Sequence, residues 1–187
     1  MDAARAKKPA TYEDLVALPE NLVGEIVDGD LYTSPRPASP HAVAASALGE
    51  ELGPPFKRGR GGPGGWFLLF EPELHVVGQV MVPDLAGWRR ERMPVMPDVA
   101  FFELAPDWVA EVISPSTATL DRHRKMPHYQ RAGVRHIWIV DPIAKMLEIF
   151  RSEGERWLVL ATHSGDEKAR AEPFDAIELD LSVLWAR

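Results

Sequence analysis

Val80-Met81-Val82-Pro83-Asp84-Leu85-Ala86 is an apolar run with one carboxylate set inside it. A second run of the same kind, Trp108-Val109-Ala110-Glu111-Val112-Ile113, lies downstream. Both have the length and composition of buried strands. An unpaired carboxylate is costly to desolvate, so buried strands rarely carry one alone. Asp84 and Glu111 on neighbouring strands would offset that cost by sharing a divalent cation. Carboxylate oxygens are hard donors, which points to Mg²⁺ or Mn²⁺. The stretch after Glu111 is basic and includes Lys125, a cation able to neutralise an anionic transition state or orient water.

The remaining elements follow outward from these two runs. His136–Val140 is the most apolar stretch, and its continuity predicts a strand buried on both faces. Met146–Arg151 and Arg156–Ala161 predict a hairpin around Glu153-Gly154. Thr119–Ala132 is helical in pattern, with Pro127 either breaking it or starting its main part and Gly133 stopping it. Upstream, Trp66–Phe70 and Glu73–Val77 predict strands, as does Val80–Ala86 taken whole. Residues 53–65 are rich in glycine and proline and predict a flexible surface loop. Ser39 or Pro40 opens a helix to about Leu52, with Val43, Ala47, Leu48 and Leu52 as its apolar stripe. Glu25–Tyr32 predicts a hairpin about Asp28-Gly29. Thr11 caps a short helix that stops near Pro19, and residues 1–10 predict a frayed, disordered terminus. The sum is one α/β domain over 11–187: a mixed β-sheet flanked by helices, with an N-terminal helix-hairpin extension.

The chain has 187 residues, enough for one domain with a core. It lacks cysteine, which removes disulfides, thiolate nucleophiles and Cys-based metal sites. No apolar run approaches the ~20 residues of a membrane span, and Met1–Lys8 does not read as a secretory leader, so a cytoplasmic location is expected. P-loop, nucleophile-elbow and dinucleotide fingerprints do not occur. His123 and His128 are too awkwardly spaced for a zincin pair. Lys+Arg is 21 and Asp+Glu 28, a net charge of −7, which argues against a protein that coats nucleic acid. The charge is uneven. Residues 153–180 are acidic, whereas Lys57-Arg58-Gly59-Arg60, Arg89-Arg90-Glu91-Arg92 and 121–135 are basic. This distribution suits an enzyme that meets a polyanion at one face.

Taken in order, Glu25–Tyr32, His41, Val82-Pro83-Asp84, Glu111-Val112-Ile113-Ser114-Pro115-Ser116-Thr117, Asp121, Lys125, Tyr129, Gly133-Val134 and Trp138–Pro142 resemble the Uma2 family (DUF820). That family belongs to the restriction-endonuclease-like, PD-(D/E)xK nuclease superfamily. The resemblance runs from about residue 11 to the C-terminus. It implies a four- or five-stranded mixed sheet and a DNA phosphodiester hydrolase in which Asp84 and Glu111 hold Mg²⁺. The lysine slot of Glu-x-Lys is Ile113 here, and Lys125 on the following helix matches the relocated lysine. Glu25 and His41 match positions ahead of the sheet, as a third ligand or a general base. The superfamily and the six tryptophans together predict a homodimer.

Each residue also has a plainer reading. Asp84 would cap backbone N–H groups after proline. Glu111 would pair with an arginine, and Lys125 would be a solvated lysine among Arg122, His123 and Arg124. Asp121 reads as a charge placed at a helix N-terminus. His41 would be a first-turn residue near solvent. Two other functions fit the same residues. One is a catalytically silent nucleic-acid-binding module, favoured by Ile113 and the net charge. The other is a hydrolase of smaller phosphate esters, favoured by the shortness of the basic patches.

Overall fold

The computed structural model of the chain describes residues 8–34 and 37–186. Twelve strands and three α-helices are described: α1 Tyr12–Val16, β1 Val23–Val27, β2 Asp30–Ser34, α2 Ser39–Leu52, β3 Trp66–Phe70, β4 Leu74–Val76, β5 Gln79–Met81, β6 Leu85–Arg89, β7 Trp108–Val112, α3 Met126–Ala132, β8 His136–Asp141, β9 Met146–Glu153, β10 Arg156–Ser164, β11 Lys168–Ala169 and β12 Leu179–Asp180. Six strands form the main sheet in the order β10-β9-β8-β7-β6-β3, and a second sheet runs β2-β1-β5-β4. Among the described strand pairs only β7 and β8 run parallel; the connection between them carries α3.

β7 and β8 are near-continuously apolar because both of their faces are covered. Trp108, Ala110, Val112, Trp138 and Val140 pack on one face with α2 and the C-terminal segment. Val109, Ile113, Ile137 and Ile139 pack on the other with α3 and the second sheet. Glu111 belongs to this second face by strand alternation.

α2 begins at Ser39 with Pro40 in its first turn, and its buried stripe is Ala44, Leu48 and Leu52. The stripe is therefore one residue off the expected one at its start; Val43 and Ala47 are only partly buried. The hairpin turn at Asp28-Gly29 has positive φ at both residues (54° and 78°), as a two-residue hairpin loop requires.

Four expectations need correction. The main sheet has six strands, not four or five. Val80–Ala86 is not one strand: β5 ends at Met81, and Asp84 lies in the break before β6. The break has a cause remote in sequence, since the Val82 N–H donates to Glu25 Oε1 (2.7 Å) instead of a neighbouring strand. Residues 53–57 are a widened, π-type helical turn that buries Pro55 and Phe56, not part of a flexible loop. The tryptophan part of the dimer expectation narrows to the half-buried Trp157, since Trp66, Trp88, Trp108, Trp138 and Trp185 are buried within the chain.

Residues 1–7 of the expected frayed terminus lie outside the described residues, and the Ala10 N–H donates to Gly29 O at 2.8 Å. Among the described residues no helix is long and apolar enough to cross a membrane.

Candidate active site

The second sheet exists to bring β1 beside β5. Ile26 pairs with Val80, and Glu25 thereby reaches the Val82–Asp84 break. Asp84 is held there from the other side. Its Oδ2 accepts the Val112 N–H at 2.7 Å, and the register Leu85↔Ala110 carries on so that Asp84 faces Glu111 across β6 and β7.

Lys125 comes from the helical connection. Residues Leu120–Lys125 form a second π-type turn just before α3. Pro127 accounts for it. Proline lacks an N–H and clashes with the carbonyl four residues back, and a widened turn accommodates both. Pro127 thus starts the main part of the helix. The turn points Lys125 inward, where it is only 2 % exposed. Its Nζ lies 2.8 Å from Glu25 Oε1, 2.9 Å from Glu111 Oε1 and 3.4 Å from Asp121 Oδ1, and it donates to Val82 O at 3.3 Å. Neither the solvated reading of Lys125 nor an arginine partner for Glu111 describes this arrangement.

Glu25, His41, Asp84, Glu111, Asp121 and Lys125 line one cavity of about 370 Å³. All five residues expected from the sequence are therefore brought together. His41 enters from the first turn of α2, with Nε2 3.1 Å from Asp84 Oδ1. Its Nδ1 is buried without a partner among the described residues. Two residues had no assigned role. Asp121 lies in the first turn of the Leu120–Lys125 segment, as expected, and is also a buried partner of Lys125. Tyr129, fully buried, donates its hydroxyl to Glu111 Oε1 at 2.6 Å. Their spacing from Lys125, four residues on either side, was the available signal: it places all three on one helix face. A wider hollow of about 740 Å³ lies elsewhere, but Asp28 there is already paired with His128 and Arg124.

The electrostatics follow from burial. Burial pushes the Glu111 carboxyl well above its usual range, and Lys125 opposes the rise. Burial likewise raises Asp121 against the pull of Lys125. For Lys125 burial acts against the ammonium, but Glu111, Glu25, Tyr129 and Asp121 outweigh it and hold it well above its usual value. Lys125 is thus a fixed cation, not a base. Burial lowers His41, yet the hydrogen bond and charge of Asp84 more than offset it and leave the imidazole raised.

Three carboxylates, those of Glu25, Glu111 and Asp121, contact the ammonium, and Asp84 lines the same cavity. Among the described residues no three acid or histidine side chains form a ready-made metal group. A Mg²⁺-type site does not need one, since that ion keeps several waters and uses one or two carboxylates. Lys125 and Tyr129 both engage Oε1 of Glu111, which leaves Oε2 as its oxygen for a ligand. Asp84 and Glu111 fit such an ion in number and donor type.

The chain matches the Uma2 family, described as "Putative restriction endonuclease", over residues 9–183. It belongs to that family. Among solved structures it is similar to one titled a putative nuclease belonging to DUF820 from Anabaena variabilis ATCC 29413. The TM-score is 0.74 at 21% identity, covering 95% of this chain and 98% of that one. That likeness shows the fold: this Uma2 chain shares that protein's architecture over nearly its whole length. No curated protein matches it.

Proposed function

We propose that the chain is a metal-dependent nuclease that hydrolyses DNA phosphodiester bonds, with Asp84 and Glu111 as the ligands of Mg²⁺ or Mn²⁺. One observation carries the reading: the Lys125 ammonium lies 2.9 Å from Glu111 in the cavity that Asp84 lines. A divalent cation bound there would supply charge neutralisation and a more acidic water. Lys125 contributes a permanent positive charge beside the phosphate, strengthened by its dry surroundings. Glu25 and Asp121 hold that ammonium in place, and Tyr129 fixes the Glu111 carboxylate. His41 hydrogen-bonds Asp84 through Nε2 and orients that carboxylate.

The silent-binder reading drew on Ile113 standing in the lysine slot. Ile113 is a core residue of the β7 face, and an ammonium from the next helix occupies the neighbourhood of Glu111 instead. This favours catalysis over silence.

The test is cleavage of supercoiled plasmid and single-stranded DNA with Mg²⁺ or Mn²⁺, with Asp84→Ala prepared in parallel. Metal-dependent cutting should fall by about 100-fold or more in the variant. Equal cutting by both proteins would refute the site. If neither cuts, a Mn²⁺ titration that leaves wild type and variant indistinguishable would refute the metal as well.

A further inference from the structure

Two basic stretches, Lys57–Arg60 and Arg89–Arg92, lie outside the site and are unused by the chemistry above. They are some thirty residues apart in sequence, yet the fold joins them. Gly59 packs against Gly64, with its Cβ position 3.8 Å from the Gly64 Cα. The next residue, Gly65, accepts the Arg90 N–H at 2.9 Å. Trp66 then pairs with Arg89 as β3 meets β6. Arg58, Arg60, Arg89 and Arg90 therefore converge on one corner of the main sheet.

The corner is built to present its cations. Arg89 lies 4.6 Å over the Trp66 ring on one face of the sheet and Arg90 4.0 Å over the Phe67 ring on the other, so the two guanidinium groups flank the same end of the β3–β6 pair from its two sides. Gly59, Gly61, Gly64 and Gly65 all have positive φ, which shapes the loop that carries Arg58 and Arg60. Arg58, Arg60 and Arg90 are exposed, and among the described residues no ion pair engages these three or Arg89. Within the two stretches Glu91 is the one acid, and Arg92 is paired with the buried Asp107. In a chain of net charge −7, this is a local excess of the opposite sign.

Its place relative to the site is set by β6, which starts beside Asp84 and ends at Arg89. Five residues of strand span about 17 Å. Successive phosphates of one DNA strand rise about 3.4 Å along the axis, so this corresponds to about five nucleotides.

We infer that the Arg58–Arg60–Arg89–Arg90 corner is a second contact for the DNA backbone, gripping phosphates about five nucleotides from the bond that is cut. The inference rests on the nuclease reading only for the identity of the polyanion. It gives that activity a length dependence: duplexes with shorter flanks reach the cavity but not the corner.

The test is the triple variant Arg58→Ser/Arg60→Ser/Arg90→Ser, which changes exposed side chains only. Arg89 stays because it covers Trp66. Binding of fluorescent duplexes of about 24 and about 6 base pairs is measured without divalent cation at several NaCl concentrations. Bis(p-nitrophenyl) phosphate hydrolysis with Mn²⁺ is measured beside it. The longer duplex should bind the variant about tenfold more weakly at ~0.1 M salt, and its log–log salt slope should fall by about 2 to 3. The short duplex is about 20 Å long and fits the corner by itself, so it should also lose affinity, with a smaller change of salt slope, whereas hydrolysis of the small ester should not change. Equal slopes for wild type and variant on the longer duplex would overturn the inference, as would an equal loss of ester hydrolysis. Wild type that binds anionic lipid vesicles but neither duplex would overturn it in favour of a membrane surface. Since binding is read without cleavage, failure of the nuclease reading leaves this result intact, and the reverse also holds.

Discussion

Replacing Lys125 by methionine keeps the volume and the helix and removes one charge. The side chain is 2 % exposed and its ammonium contacts Glu25, Glu111 and Asp121 at 2.8, 2.9 and 3.4 Å. Without it, three buried carboxylates face one another with no compensating cation. Breaking a buried ion pair from one side costs about 3–5 kcal/mol. For a domain of this size that is a Tm lower by about 6–20 °C. The loss must depend on pH, and its direction follows from Glu111. Its folded pKa is raised above the usual 4.5, and losing Lys125 raises it further. A raised carboxyl favours folding while protonated, so stability is lost as pH rises through the folded value. Lys125→Met should therefore be most destabilised at neutral pH and approach wild type as pH falls toward 4.5, within the range wild type tolerates. Scanning calorimetry of both proteins at matched pH values measures this. A difference under about 1 kcal/mol at neutral pH, or one that widens in acid, would refute a closed carboxylate cage around the ammonium.

Other outcomes follow from neighbouring contacts. Tyr129→Phe removes the hydroxyl that donates to Glu111 and should cost about 1–3 kcal/mol in a denaturant titration, with a smaller loss if the contact were water-exposed. Gly87 faces Leu68 Cδ2 at 2.9 Å and the Trp66 and Trp108 rings at 3.2 Å from an added Cβ, so Gly87→Ala should destabilise by about 1–3 kcal/mol; a neutral result would mean the β3–β6–β7 layer can expand. Burial holds His136 below its usual 6.5 despite the bond to Glu172, so the unfolded chain takes its proton first as pH falls. Wild type should lose stability below about pH 6.5 more steeply than His136→Gln, and parallel pH profiles would show that His136 is not the group responsible.

What was legible in the sequence was what short-range chemistry decides. The Asp28-Gly29 turn announces its hairpin because few other residue pairs accept positive φ twice. The unbroken run at 136–140 announces a central strand because both of its faces are core. The misread stretches were decided from a distance. Residues 53–57 have the composition of a loop, but Phe56 is drawn inward by Phe174, 4.6 Å away in space and remote in sequence. Val82-Pro83-Asp84 is as apolar as the strands beside it. It breaks from them because a glutamate from another sheet takes its N–H.

The site divides in the same way. Asp84 and Glu111 stood out because a carboxylate in an apolar run demands an explanation. Lys125 stood out only through the family resemblance, since it sits among other bases and by composition belongs with them. Its inward direction comes from Pro127, which widens the turn before α3 and sends the ammonium toward Glu111 while Arg124 faces outward to Asp28. Asp121 and Tyr129 are the same lesson taken one step further. Each looks ordinary for its position: an acid early in a helix, an aromatic on a buried face. Their roles appear once Lys125 is known to point inward, because residues four before and four after it must then share its face. Asp121 adds a third carboxylate to the two that hold the ammonium, and Tyr129 joins Lys125 on the same oxygen of Glu111. The site is therefore a cage organised by one lysine, and the two carboxylates that the sequence exposes most clearly share its cavity with Glu25 and Asp121, which hold the lysine.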